Sequence, residues 1–90
     1  MVSTGTMIQG EHPRWAPLIE LVGERLAGDF MWMYEVELHG GAGPLQAYKH
    51  RWTRRYLLLT DAGDAMSYTA DGRYRAVGIA QALRAAYGRA

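Results

Sequence analysis

The sequence predicts a two-layer α+β domain. An antiparallel meander of four or five strands carries an N-terminal and a C-terminal helix on one face, in the order α-β-β-β-β-(β)-α. Three observations predict it. Apolar residues recur at helical spacing from Trp15 to Leu26. The period switches to two from Phe30 to Leu38. Glycine- and aspartate-rich punctuation then divides the chain into short strands, until a second helical stripe begins at Ile79.

The first helix is the best marked. Trp15, Leu18, Ile19, Val22 and Leu26 stand at i, i+3, i+4, i+7 and i+11, one apolar stripe. Pro13 and Pro17 confine its start, because proline is tolerated only in a first turn. Gly28 suits its end. The helix is expected from Ala16 to Ala27. Residues 1–12 show no periodicity and read as a mobile arm before a single domain over 13–90.

The first strand follows, with Phe30, Trp32, Tyr34, Val36 and Leu38 alternating with Met31, Met33, Glu35, Glu37 and His39. Gly40-Gly41-Ala42-Gly43-Pro44 interrupts it. A second strand is expected over Leu45–Trp52 and a third over Arg55–Thr60. After the turn Asp61–Asp64 comes a fourth strand, Ala65–Thr69. Asp71-Gly72 is a further turn signal, and a short fifth strand covers Arg73–Val77. In the last helix Ile79, Leu83, Ala86 and Tyr87 share a face and Gly88 ends it.

A consistent register can be written. With Glu35 opposite Lys49, an opposite-charge pair forms across the first hairpin. A two-residue connection at Thr53-Arg54 puts Leu57 and Leu59 on the face of Trp32, Tyr34, Val36, Leu38, Tyr48 and His50. The next turns add Met66, Tyr68, Tyr74 and Ala76. That face is expected to lie beneath both helices. The opposite face carries Met31, Met33, Leu45, Ala47, Tyr56 and Leu58 among charged side chains. An apolar patch rimmed by charge suits a partner surface, so Met31, Met33, Leu45, Tyr56 and Leu58 are the candidate interface.

Composition bounds the rest. The chain has 90 residues, 49% of them hydrophobic, with net charge +1. One domain with one modest core fits this. No cysteine occurs, which removes disulfides, thiolate nucleophiles and Cys-ligated zinc, and suits a reducing cytoplasm. The first ten residues lack a basic start and a long apolar run, so no signal peptide is expected, nor any membrane partner. Charge is uneven: residues 1–45 hold two basic and six acidic side chains, and residues 46–90 hold eight basic and three acidic. Nine of the ten basic residues are Arg and Asn is absent, which reads as GC-rich codon usage.

The segment Ala47–Tyr56 is the candidate for an anion site. Lys49, Arg51, Arg54 and Arg55 lie among Tyr48, Trp52 and Tyr56, and the fifth strand adds Arg73 and Arg75. Guanidinium groups beside aromatic rings bind phosphates and stacked bases. The same pattern also describes an ordinary hairpin with solvated charges, and a pI near 8.1 is low for a nucleic-acid binder.

Other chemistry is sparse. His12, His39 and His50 lack metal-ligand spacing; His50 is expected in the core and His39 in a turn. Glu35 and Glu37 share a strand face, and Glu20 and Glu24 a solvent face of the first helix. Both pairs read as surface charge. Ser3 and Ser67 sit in no nucleophile elbow. The glycine run precedes a strand rather than a helix, unlike a phosphate loop. No enzyme activity, metal or cofactor is expected.

Two resemblances arise. Trp52-Thr53-Arg54-Arg55-Tyr56-Leu57-Leu58-Leu59-Thr60 with Met66-Ser67-Tyr68 resembles the second and third strands of a pleckstrin-homology domain, which would imply phosphoinositide binding by a basic hairpin. A helix before the sheet and too few strands set this chain apart from that barrel. The Ala47–Leu57 block is similar to segments in small uncharacterised proteins of GC-rich actinobacteria. That similarity implies a compact stand-alone protein and transfers no activity or site residues. The expectation is a non-enzymatic cytoplasmic protein-interaction module that forms a homodimer, or docks another protein, through the exposed sheet face. The alternative is binding of nucleic acid or an anionic ligand through residues 48–56.

Overall fold

The computed structural model describes residues 13–38 and 43–88. The arm expected over residues 1–12, His12, His39 and most of the glycine run lie outside the described residues. A 3-10 turn, Pro13–Trp15, leads into α1 (Ala16–Ala27). The strands are β1 (Phe30–Leu38), β2 (Gly43–His50), β3 (Tyr56–Thr60), β4 (Ala65–Tyr68) and β5 (Tyr74–Val77), and α2 (Ile79–Ala86) closes the order. The strands form one antiparallel sheet in the order β1-β2-β3-β4-β5, so the α-β5-α meander is as expected.

Its register differs from the expected one at three places. Trp32 pairs with Tyr48 but Tyr34 pairs with Ala47, so a bulge at Met33 puts one extra residue on β1. Beyond that point the side chains of β1 change faces. Phe30 and Trp32 point to the helices; Tyr34, Val36 and Leu38 point away. Glu35 therefore faces Gln46, and Lys49 faces Met31, which corrects the expected Glu35–Lys49 pair. The second difference is the β3–β4 turn. The Thr60 N–H donates to the Asp64 carbonyl at 2.9 Å, so the loop is 61–63 and Met66 lies opposite Leu58. Met66 and Tyr68 thus turn away from the helices, and they take Tyr74 and Ala76 with them. The three-residue loop 70–72 is as expected, closed by Thr69 N–H to the Arg73 carbonyl at 2.7 Å.

The expected two-residue turn at Thr53-Arg54 is instead a four-residue loop, 51–54. The His50 N–H donates to the Arg55 carbonyl at 2.8 Å and the Arg54 N–H to the His50 carbonyl at 3.0 Å. This slides the pairing by two residues and preserves the face, so Leu57 and Leu59 are in the core as expected.

Helix α1 breaks inside its stripe. Gly23 has φ 88° and ψ 161°, a conformation that a residue with a Cβ rarely adopts. The last turn leaves the line of the stripe, so Leu26 is 38% exposed while Ala27 is buried. The main core joins Trp15, Leu18 and Ala27 to Phe30, Tyr48, Leu57, Leu59 and Ala65, with Ala82 and Ala86 of α2. Tyr48, fully buried, donates its hydroxyl to the Arg14 carbonyl at 2.5 Å. Burial pushes its phenol well above the ordinary value.

A second cluster lies on the helix-free face: Leu45, Ala47 and Leu58, packed by Val36, Leu38, Met66 and Tyr74. These residues come from all five strands. Val36 and Leu38 of β1 also share a groove with Tyr74 of β5. In a flat sheet those edge strands would be about 19 Å apart. The sheet therefore curls, and its helix-free face is concave, with the bulge adding to the twist.

Candidate interaction surfaces

The concave face is built by alternation from four tyrosines over a small apolar floor. Leu45 and Leu58 are buried, so they form the floor rather than an exposed interface. The reason is the curl and the bulge, which bring Val36, Leu38, Met66 and Tyr74 against them. Met33 and Tyr56 are exposed as expected, and Met31 is half-buried. Tyr34, Tyr68, Tyr74 and Met66 were expected under the helices and instead line this face. Tyr34 and Tyr56 rings lie 6.1 Å apart, and Tyr68 and Tyr74 rings 4.9 Å apart. Burial, and then the nearby phenols of Tyr74, Tyr56 and Tyr68, push the Tyr34 phenol upward. One signal in the sequence pointed here: these positions hold Tyr rather than Phe or Leu, and a phenol hydroxyl seeks water or a partner.

A cleft between β3 and β4 reaches from this face through to Leu57, Val77 and Ala82 on the helix side. β3 and β4 pair only at Leu58–Met66 and Leu59–Ala65, so Tyr56 and Tyr68 do not form the next rung. A hollow of about 270 Å³ opens there, lined by Tyr56, Leu58, Met66 and Tyr68, with Gln81 and Ala85 of α2 behind. Lys49 is the only charged side chain that the strand positions of this face carry among the described residues. Its Nζ stands 5.7 Å from the centre of the Tyr56 ring. Glu37 and Arg73 sit at the rim, beside Val36 and Tyr74.

The six candidate cations do not converge. Lys49 is on the concave face. Arg75 lies opposite Ser67, on the helix side of the sheet. Arg73 is at the β4–β5 turn, 3.8 Å from the Asp71 carboxylate. Arg51, Arg54 and Arg55 remain together around the loop 51–54.

That loop is pinned from three sides. The buried His50 accepts, at Nδ1, the N–H groups of Trp52 (3.3 Å) and Thr53 (3.2 Å). Its ring meets Phe30, Trp52 and Tyr87 with centroids 5.0, 5.6 and 4.9 Å away. His50 is thus a core residue as expected. Thr53 Oγ1 donates to the Ala86 carbonyl at 2.6 Å. The Arg51 N–H donates to the Asp29 carbonyl at 2.8 Å, and its Nε to the Gly28 carbonyl at 2.9 Å. Trp52 projects from this fixed loop with 71% of its surface exposed.

One buried polar side chain lies apart from both surfaces. Gln46 accepts the Trp32 indole N–H at 2.9 Å and donates to Glu35 (2.9 Å) and Asp61 (3.1 Å). It ties β1 to the β3–β4 turn. Among the described residues no group of three or more His, Cys, Asp or Glu is placed to hold a metal ion. No described helix is long and apolar enough to cross a membrane. No family model, no curated protein and no solved structure matches the chain.

Proposed function

We propose that this chain is a non-enzymatic protein-interaction module that docks through its tyrosine-lined concave face, with a second copy of the chain as its first partner. One observation carries this reading. A face spanning five strands bears a single strand-borne charge, Lys49, while Tyr34, Tyr56 and Tyr68 stay exposed over buried Leu45 and Ala47. Tyrosine gives large, stiff contact area with a polar tip, the chemistry that interfaces favour. A nearly uncharged face also meets its own copy with little like-charge repulsion.

Size sets the strength. Five strands of about five residues make a patch of roughly 350 Å². A stable interface takes about 800 Å² per partner. The dimer is therefore a weak, exchanging one. Sedimentation velocity from micromolar to millimolar protein should show the mass rising with concentration. A Tyr34→Lys/Tyr68→Lys variant should keep the parent's melting temperature and stay monomeric. A parent that is monomeric throughout this range would remove the self-association reading.

A further inference from the structure

The corner around the loop 51–54 is a second surface, separate from the concave face. Three elements meet there. Arg51 ties the loop to Gly28 after α1, and Thr53 ties it to Ala86 at the end of α2. Arg25 and Arg84, in the last turns of the two helices, bring the arginines of this corner to five, against the carboxylates of Glu24 and Asp29. Helix C-termini favour Arg25 and Arg84, and Arg51 caps a carbonyl. Arg54 and Arg55 have no such role: neither side chain makes a hydrogen bond or ion pair among the described residues. Arg54 also occupies a left-handed backbone conformation, φ 65°, which glycine would adopt without strain. An arginine kept there, beside a tryptophan 71% exposed on a pinned loop, is costly in both backbone and solvent terms.

We propose that this corner binds single-stranded nucleic acid, with one base stacked on Trp52 and the flanking phosphates on Arg54 and Arg55. A single ring next to two guanidinium groups matches one nucleotide unit with its neighbouring phosphates. The pinned loop holds the ring in place before binding, so little side-chain freedom is lost. Beside it Leu26, Leu83, Arg84 and Tyr87 line a groove of about 390 Å³, linked to Trp52 through the His50 ring. A neighbouring base can enter that groove. A bilayer surface fits this corner less well, because Trp52 is the one large apolar side chain mostly exposed here among the described residues, and one ring is a small anchor for a membrane.

The test is titration of the full chain with a short fluorescein-labelled oligothymidylate at low and moderate salt. Tryptophan emission is followed as well. Trp15 is buried and Trp32 half-buried under the Arg14 guanidinium, so quenching reports on Trp52. Binding should weaken as salt rises. Trp52→Ala should lower affinity about five- to a hundredfold and abolish the quench. Arg54→Gly should reduce the slope of log affinity against log salt by about 0.7. Its melting temperature should hold or rise, which separates binding from folding. Absence of binding at low salt would overturn the proposal, as would unchanged affinity in Trp52→Ala. Binding to phosphatidylglycerol vesicles without binding to the oligonucleotide would overturn it in favour of a lipid surface.

Discussion

On one side of the sheet, Phe30, Tyr48, Leu57 and Leu59 lie beneath Leu18, Ala82 and Ala86 of the two helices. On the other side, Leu45, Ala47 and Leu58 lie beneath side chains of the sheet's own strands. Both sets are buried, but by different means. The helix side is closed by a second layer and interlocking rings. The far side is closed by curvature, and the side chains that cover it, Val36, Leu38, Met66 and Tyr74, remain partly wet. A sheet can therefore own two cores of unequal finish, and the less finished one is the natural place for a partner.

The comparison can be broken most severely on the helix side. Leu18→Asp would place an unpaired carboxylate in the fully buried layer. The expected loss is several kcal/mol, against a total of about 5–15 kcal/mol for a domain of ordinary stability. Circular dichroism should show an unfolded or barely folded chain at room temperature. Unchanged melting would mean that α1 does not seal this side.

A smaller effect should come from the floor of the concave side. Leu45→Ala should cost about 2–5 kcal/mol in a urea titration, because the curl holds the cavity open. A cost under about 1 kcal/mol would mean that this cluster is surface and the face is flat. Tyr68, 60% exposed, supplies the control: Tyr68→Ser should shift stability by no more than about 0.5 kcal/mol.

The mildest test uses pH. Burial raises the phenols of Tyr48 and Tyr87 above the ordinary phenol value of 10.0. The folded state thus favours the protonated phenol. Its contribution to stability is complete below pH 10 and falls as pH rises beyond it, because the unfolded chain ionises first. Stability should decline on the alkaline side of pH 10, and Tyr48→Phe should flatten that decline. An equally steep decline in Tyr48→Phe would assign the alkaline sensitivity to other groups.

Most of the fold was legible because periodicity reports burial directly. The stripe from Trp15 to Val22, the alternation around Trp32 and the stop at Ala27 each follow from side-chain chemistry. The faces of Tyr34 and Met66 were not legible, and for one reason. An added residue in a strand or a shortened turn reverses every side chain after it, yet neither leaves a mark in composition. Met33 looks like any other strand residue, and Asp61-Ala62-Gly63-Asp64 suits a loop of three as well as four. Of the candidate interface residues, Met33 and Tyr56 are exposed as expected, while Leu45 and Leu58 lie on the expected face but are buried. The basic segment was visible as charge. Its division between the concave face and the corner loop was not, because that depends on where the hairpin turns.

The bulge at Met33 has a consequence for how the chain behaves in a crowd. β1 is an edge strand of nine residues, rich in aromatic and apolar side chains. An unbroken edge of that kind would template further strands and grow into fibres. The extra residue interrupts the row of outward amide groups partway along, so an incoming strand can register on one half or the other but not on both. The kink that turns Tyr34 to the concave face thereby also makes β1 a poor template for growth along its most adhesive edge.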